Sequence, residues 1–400
     1  LHYGHKGDIV KSRNNLLRKG EAKVSKQRVL LLSEGFGAGH TQAAYALSSS
    51  LRKLAPHIQT KVLELGSFLN PRMAPLIITA YKKTVTTQPR LVRMMYRSNY
   101  KRSLNRLTTA ALHRIFYTRT TQIIRQLHPD VIVCTHPIPS AVISRMKRLG
   151  LNVPLCTVIT DYDVHGTWVS REVNCYLVST EQVKEKLLER EVDESKIRIT
   201  GIPVHPNFWE RHSKEEIRRQ FALKNMPTVL VMGGGWGFMK DEAVNSLLAM
   251  HSDKIQTIFC LGSNQKSLDK MKKDPRYIHP NIRLLGFTRE IDKLMEVSDL
   301  LITKPGGMTC TEGLAKGIPM LFHKPLPGQE EENSQYFESQ GWGTLMNSLN
   351  DIEEWIYRLT DHYDEVALAR EKVLEQIAKY HPMQSAQAIM DLLDESKVPS

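Results

Sequence analysis

The sequence predicts an α/β protein built of two Rossmann-like, doubly wound domains that face each other across a cleft. Three observations lead there. Short apolar, β-branched runs alternate with helical patterns from Arg28 onward, the signature of βαβ units and a parallel sheet. These runs fall into two sets, Arg28–Ser33, 60–65, 131–135, 155–159, Cys175–Val178 and 197–200, then Thr228–Met232, 256–261, 282–284, Leu300–Thr303 and Met320–Phe322. Between the sets lies Gly201-Ile-Pro-Val-His-Pro-Asn-Phe208, which reads as a linker because its prolines cannot continue a helix.

At 400 residues, 41% hydrophobic and 24% charged, the chain has room for two domains of roughly 100–200 residues each. The expected division is an N-terminal extension over 1–23 with no assigned function, a first domain over 24–203, a second over 204–365 and C-terminal helices over 366–400. Paired domains of this kind bind ligands outside the carboxyl ends of their strands.

Composition narrows the function classes. The five cysteines are scattered with no CxxC pair, which argues against a disulfide framework or a structural zinc site and reads as buried thiols of a reducing compartment. No run approaches the roughly 18 apolar residues of a membrane span, so the expectation is a soluble or peripheral cytoplasmic protein. The net charge of +13 is concentrated: from Leu65 to Pro129 there is no Asp or Glu but twelve Lys or Arg residues. Apolar side chains such as Met73, Leu76, Tyr81 and Met94 are interleaved with them. That mixture suits an anionic membrane surface. A nucleic-acid partner is not expected, because no recognised nucleic-acid module accompanies the charge.

The glycine-rich turns carry the chemistry. Val29–Leu32 runs into Ser33-Glu-Gly-Phe-Gly-Ala-Gly-His40, and a helical pattern follows from Thr41 to Leu54. Gly35, Gly37 and Gly39 permit a tight turn approached closely by a ligand, and the helix start favours anions. A dinucleotide fingerprint has the same look, although the acidic residue expected about 20 positions later is not convincingly placed. His40 tilts the reading to catalysis, since an imidazole at a loop top titrates near neutrality; a capping or packing histidine is the plainer alternative. The second domain opens alike, with Gly233, Gly234 and Gly235 after Val229–Met232, a loop whose backbone N–H groups suit a diphosphate or simply a sharp turn.

The strongest block runs from Leu300 to Pro319. A strand ends at Thr303, and Lys304-Pro305-Gly306-Gly307 turns into a helix whose first N–H groups are free to hold phosphate oxygens. Glu312, five residues beyond Gly307, is placed to accept both hydroxyls of a ribose. Downstream, Pro325-Leu-Pro-Gly-Gln-Glu-Glu-Glu-Asn333 puts amides and carboxylates on a loop after the next strand. Polar groups there suit sugar hydroxyls; a solvated acidic loop is the alternative for Glu330 to Glu332.

The order of these blocks resembles the monogalactosyldiacylglycerol synthases and bacterial diacylglycerol glucosyltransferases, which share the GT-B fold with the peptidoglycan glycosyltransferase that makes lipid II. Matching blocks are Gly37-Ala-Gly-His40, Thr157-Val-Ile-Thr-Asp161 with His165 and Trp168, Gly201-Ile-Pro203, Met232-Gly-Gly-Gly235, Gly286-Phe287, Thr303 to Gly307, Thr311-Glu312, and Pro327-Gly-Gln-Glu330 with Asn333. The resemblance implies an inverting hexosyltransferase taking UDP-glucose, or UDP-galactose, to diacylglycerol at the cytoplasmic face of the membrane. It implies His40 as the base that activates the acceptor. Gly37, Gly39, Gly233 to Gly235, Lys304, Pro305, Gly306, Gly307 and Thr309 then serve the donor. Glu312 takes the ribose, the backbone near Phe287 the uracil, and Gln329 and Glu330 the sugar, with Asn333 also on the donor side. Trp236 departs from the smaller residues of relatives and leaves the donor sugar open.

Asp161-Tyr-Asp163 is a DxD pair, a metal site in the other large glycosyltransferase fold. Here the helix start and Lys304 already neutralise UDP, so no metal or cofactor is expected, and Asp161 is assigned to orient His40 or the acceptor. His165 and Trp168 are assigned to the acceptor end of the cleft, or to domain-interface packing. Arg93, Arg97, Lys101 and Arg102 represent the membrane surface that meets anionic lipids such as phosphatidylglycerol. The rivals are a lipid II-type transferase, a UDP-sugar 2-epimerase, or a UDP-sugar sensor without turnover.

Overall fold

The computed structural model describes residues 27–88, 90, 93, 94, 96, 100, 119–233, 241–378 and 380–395. The first sheet comprises β1 (Arg28–Ser33), β2 (Gln59–Glu64), β3 (Val131–Cys134), β4 (Leu155–Val158), β5 (Cys175–Val178) and β6 (Ile197–Ile199), in the order β2-β1-β3-β4-β5-β6. The second comprises β7 (Thr228–Met232), β8 (Gln256–Cys260), β9 (Ile282–Leu285), β10 (Leu300–Thr303), β11 (Met320–Phe322) and β12 (Gly343–Leu345), in the order β12-β11-β10-β7-β8-β9. All pairings are parallel. Helices cover both faces, so β3, β4, β5, β7, β8 and β10 are buried at every residue; that is why their sequences are continuous apolar runs and legible as strands. β12 was not among the predicted strands. It is three residues long, and a Cβ at Gly343 would stand 2.6 Å from the Phe322 ring.

The strand orders fix where ligands go. Sequence neighbours part at β1/β3 in the first sheet and at β7/β10 in the second, and crevices open at such switch points beyond the carboxyl ends of the strands. The helices framing them are α1 (Ala38–Leu54) after β1, α2 (Ala74–Thr87), α3 (Pro137–Arg148) after β3, α4 (Glu181–Leu188) after β5, α5 (Gly307–Ala315) after β10, and α6 (Gln329–Ser339) after β11.

Two further helices close the chain. α7 (Tyr363–Ile377) packs on the second domain through Val366 and Ile377. α8 (Gln384–Glu395) returns to the first, where Ala386, Ile389, Leu392 and Leu393 join the core of α1, β1 and β3. Arg198 on β6 donates to Asp391 and Glu395 at 3.0 and 2.8 Å. The expected C-terminal part over 366–400 therefore begins inside α7 and is divided between the domains, because an amphipathic face does not specify which core it meets. The five cysteines are free and buried. Among the described residues no helix is long and apolar enough to cross a membrane.

Candidate active site

At the first switch point α1 begins behind Gly37, which is extended (φ −171°) and gives its helix no side-chain cap. Elsewhere Thr180, Ser213, Asp241 and Asn264 cap their helices. The helix starts at Gly37 and Gly306 have no side-chain cap, which leaves first-turn N–H groups for a ligand, whereas at the third glycine start the Gly328 N–H donates to Glu331 at 3.0 Å. His40, in the first turn of α1, is half-buried and shares a 2.7 Å hydrogen bond between Nδ1 and Thr160 Oγ1. Its ring stands edge-on to His136 at 4.7 Å and lies 6.1 Å from Trp168. Burial lowers its pKa from 6.5 to about 4 against an opposing main-chain bond at Thr135. The imidazole is thus neutral at pH 7 and able to take a proton.

His136 escaped the sequence reading because it looks like an ordinary cap: its Nδ1 does accept from Ile138 N at 3.2 Å at the start of α3. It is buried, and burial holds its pKa well below 6.5, with His40 and His165 adding to the effect. Trp168 corrects an expectation. It is fully buried in the first domain's core, 6.1 Å from both His40 and His165, so it backs the two histidines and does not line the cleft.

A polar knot joins the domains above this pair. Gln329, the first residue of α6, donates through Nε2 to Asp161 Oδ2 at 3.0 Å and meets His165 Nε2 at 3.2 Å. With both amide hydrogens engaged, its Oε1 has no hydrogen bond to a described residue. Asn333 donates to Asp161 Oδ1 at 3.2 Å and to the Pro305 carbonyl at 3.1 Å, and accepts from Tyr162 N at 2.8 Å. Tyr162 reaches Thr311 through its hydroxyl at 2.9 Å. Asp161 thus holds the two amides, and the residue that orients His40 is Thr160. Burial raises the Asp161 pKa to about 7; the Asn333 amide opposes this, while Asp163 and Glu330 add to it. His165 is lowered to about 4 by burial, with Asp163 opposing.

Several of the residues assigned to the donor follow β7 and β10 at the second switch point. Gly233 is buried at the end of β7, while Gly234 and Gly235 lie outside the described residues. Lys304 and Pro305 follow β10, and Gly306 and Gly307 open α5 with Thr309 in its first turn. This start is pressed against the first domain: a Cβ on Gly307 would fall 2.2 Å from the Thr160 carbonyl oxygen, and one on Gly39 would fall 3.1 Å from Met308 Cγ. Burial lowers the Lys304 pKa, with Glu330 opposing. Glu330 is itself raised by burial against Lys304 and a 2.6 Å bond from Leu326 N. Glu312 is half-buried on α5, and burial, then Asp292, raise its pKa to about 8. Its carboxylate has no hydrogen bond to a described residue. Phe287, after β9, is 69% exposed and free to meet a planar group.

The DxD carboxylates serve separate networks. Asp163 is buried and receives Lys186 Nζ of α4 at 2.5 Å, Tyr100 at 2.9 Å and Tyr96 at 3.0 Å. Burial pushes its pKa up, but these bonds outweigh it and hold the carboxyl below its usual range. Arg93 pairs with Glu331 of α6 at 2.5 Å, a bridge over 238 positions that sequence alone gives no hint of. Arg97, Lys101 and Arg102 lie outside the described residues. Over 68–94, Phe68, Met73, Leu76, Tyr81 and Met94 are exposed large apolar side chains, and Arg72, Lys83 and Arg90 are exposed as well.

Comparison with known proteins agrees with this architecture. Residues 40–204 match the family model of monogalactosyldiacylglycerol (MGDG) synthase, and residues 228–392 match the glycosyltransferase family 28 C-terminal domain. The chain is 31% identical over 375 residues to the processive diacylglycerol beta-glucosyltransferase of Bacillus subtilis, covering 93% of this chain and 96% of that one. In fold it resembles Acinetobacter baumannii MurG, with TM-score 0.57 at 15% identity over 92% of this chain and 99% of that one. The Anabaena protein HepE, solved in complex with UDP-glucose, gives TM-score 0.57 at 13% identity over the same shares.

Proposed function

The chain belongs to the family of the monogalactosyldiacylglycerol synthases and bacterial diacylglycerol glucosyltransferases, and on that premise we propose that it moves a hexose from a UDP-hexose, UDP-glucose ahead of UDP-galactose, to diacylglycerol with inversion. As a member it is a GT-B enzyme of glycolipid synthesis. The acceptor hydroxyl gives its proton to His40 and bonds to the anomeric carbon, while the bond from that carbon to the β-phosphate oxygen breaks on the opposite face. Inversion at an α-linked donor yields a β-glycoside. The departing diphosphate is met by the N–H groups at Gly306 and Gly307 and by Lys304. Glu312 takes the ribose hydroxyls, the Phe287 backbone the uracil, and the open Oε1 of Gln329, with Glu330, the hexose hydroxyls.

The observation that carries this reading is the apposition of a neutral, hydroxyl-anchored His40 with the uncapped start of α5, close enough that a Cβ on Gly39 would fall 3.1 Å from Met308 Cγ. The exposed apolar and basic side chains from Phe68 to Met94 support docking on an anionic membrane, which a diacylglycerol acceptor never leaves. The test is incubation with diacylglycerol vesicles and several UDP-sugars, with products identified by mass and anomeric configuration by NMR. A retained α-linkage, or glycosylation of other acceptors alone, refutes the proposal.

A further inference from the structure

The connector between β11 and α6 begins with a backbone conformation that L residues rarely adopt. Lys324 stands at φ +43° and directly precedes Pro325, although a residue before proline prefers an extended backbone. Pro325 and Pro327 stiffen the short run that follows, and at its end α6 starts with Gln329 and Glu330. We propose that Asp241, immediately before the helix Glu242–Met250, is a positioning residue for the donor hexose: it clasps Lys324 in this turn and so sets where Gln329 and Glu330 meet the sugar. The inference rests on the reading in the preceding subsection, in which those two side chains take the hexose hydroxyls.

The two carboxylate oxygens of Asp241 have separate tasks. Oδ1 caps the helix, accepting from Ala243 N at 3.2 Å and Val244 N at 3.4 Å. Oδ2 accepts from Lys324 Nζ at 2.5 Å and lies 3.3 Å from His323 Nε2. His323 is buried, and burial lowers its pKa from 6.5 to about 4 against the pull of Asp241. The neutral ring leaves Lys324 as the cation on this carboxylate, whose own pKa is held below the usual range chiefly by the Lys324 bond. The main-chain N–H of His323 donates to the Thr303 carbonyl at 2.8 Å. The base of the turn is thus fixed to β10, and Asp241 fixes its side chain.

An exposed ion pair contributes little to stability by itself, and the Lys324 side chain is exposed. The strained backbone gives the pair a different task, because a non-glycine residue at positive φ persists where its surroundings over-determine it. Only Pro325, Leu326, Pro327 and Gly328 separate Lys324 from Gln329, so a rotation at Lys324 is passed on to α6 with little slack. The far end is constrained as well. Gly328 has φ +96° and no room for a side chain, since a Cβ would stand 2.7 Å from the Tyr96 ring. Leu326 N donates to Glu330 at 2.6 Å, and Gln329 Nε2 donates to Asp161 at 3.0 Å. The residues assigned to the nucleotide, Lys304, Gly306, Gly307 and Glu312, follow a different strand, β10. Releasing the clasp therefore shifts the hexose contacts and leaves the nucleotide contacts in place.

The test measures transfer to diacylglycerol by variants of the full chain and titrates each with UDP. Lys324→Gln removes the charge pair and leaves the Asp241 cap; Asp241→Asn removes it and keeps a capping side chain. Both should lower kcat roughly 10–100-fold, because a misplacement of about 1 Å can cost that much, with UDP affinity within about two-fold of wild type. Lys324→Gly deletes the whole side chain but adopts positive φ freely, so it should keep kcat within about three-fold of wild type. The double variant Asp241→Asn/Lys324→Gly should recover most of what Asp241→Asn loses. An ion pair that only stabilised the fold would make glycine no better than glutamine. A Lys324→Gly variant no more active than Lys324→Gln, or a fall in UDP affinity that matches the fall in turnover, overturns the clasp while the transfer reading stands. A wild type that transfers from no UDP-hexose overturns the underlying reading and this assignment with it.

Discussion

Glu312→Gln should make the free protein more stable and its nucleotide binding weaker, and the stability gain should depend on pH. Burial raises the folded-state pKa from 4.5 to about 8. Between those values the folded chain holds a proton that the unfolded chain has released, so stability falls as pH rises through that window. The full penalty above pH 8 is roughly 5 kcal/mol at about 1.4 kcal/mol per pKa step, an upper bound because the side chain is half-buried and its surroundings relax. Glutamine has no charge to desolvate. The variant should therefore gain about 2–4 kcal/mol at pH 8.5 and about 1 kcal/mol or less at pH 5. Urea unfolding of both proteins at the two pH values measures this. Ribose hydroxyls donating to Glu312 would favour its charged form, so UDP should bind more tightly as pH rises towards 8 and release a proton on binding, visible by calorimetry in buffers of different ionisation heat. Glu312→Ala should weaken UDP by roughly 1.5–3 kcal/mol. A pH-independent stability difference, or unchanged UDP affinity in the alanine variant, refutes the reasoning.

His40→Ala should lower turnover by roughly 10²–10⁴-fold with little change in UDP affinity, and near-normal turnover would remove His40 from the mechanism. Gly307→Ala places a methyl 2.2 Å from the Thr160 carbonyl; it should hold the domains apart and cut kcat by roughly tenfold or more, an effect that small-angle scattering can relate to domain separation. EDTA should leave activity unchanged, and its loss would revive a metal at Asp161 and Asp163. Vesicle binding should rise with phosphatidylglycerol and fall with salt, and charge reversal at Arg93, Arg97, Lys101 and Arg102 should reduce it while sparing UDP affinity; unaltered binding would place the docking surface elsewhere.

The sequence revealed what is local. Parallel strands buried on both faces, such as Val131–Cys134 and Leu300–Thr303, read as apolar runs, and the glycine-rich turns beyond them marked both switch points. What depends on distant pairing was not legible. Thr160 meets His40 across 120 positions, Gln329 meets Asp161 across 168, and no spacing rule connects them. The DxD pair assigns Asp161 to orienting His40 or the acceptor; the fold gives the histidine to the neighbouring Thr160 hydroxyl. β12 was too short to show a period, and α8 reads as an ordinary amphipathic helix until its partner core is seen.

The cleft concentrates groups that oppose folding. Asp161, Glu312 and Glu330 all have raised pKa values through burial, and each costs stability as the pH rises through its shifted range. Two covalent crossings, near Gly201 and between α7 and α8, hold the domains in register around these groups. Added to them are the Asn333 to Tyr162 bond, the Tyr162 to Thr311 bond and the Arg93 to Glu331 pair. α8 does so by burying apolar side chains in the first domain's core, far from the chemistry. Glu312 can then await ligand hydroxyls, because the contacts that hold the cleft together are borne by other residues, and Gln329 bridges the domains through Nε2 while leaving its Oε1 open. A UDP-hexose whose hydroxyls satisfy those acceptors would lower the pKa of Glu312 and stabilise the closed arrangement by its binding energy. On that reading, donor binding would stabilise the paired domains through Glu312, the same carboxylate whose ionisation costs the free protein stability.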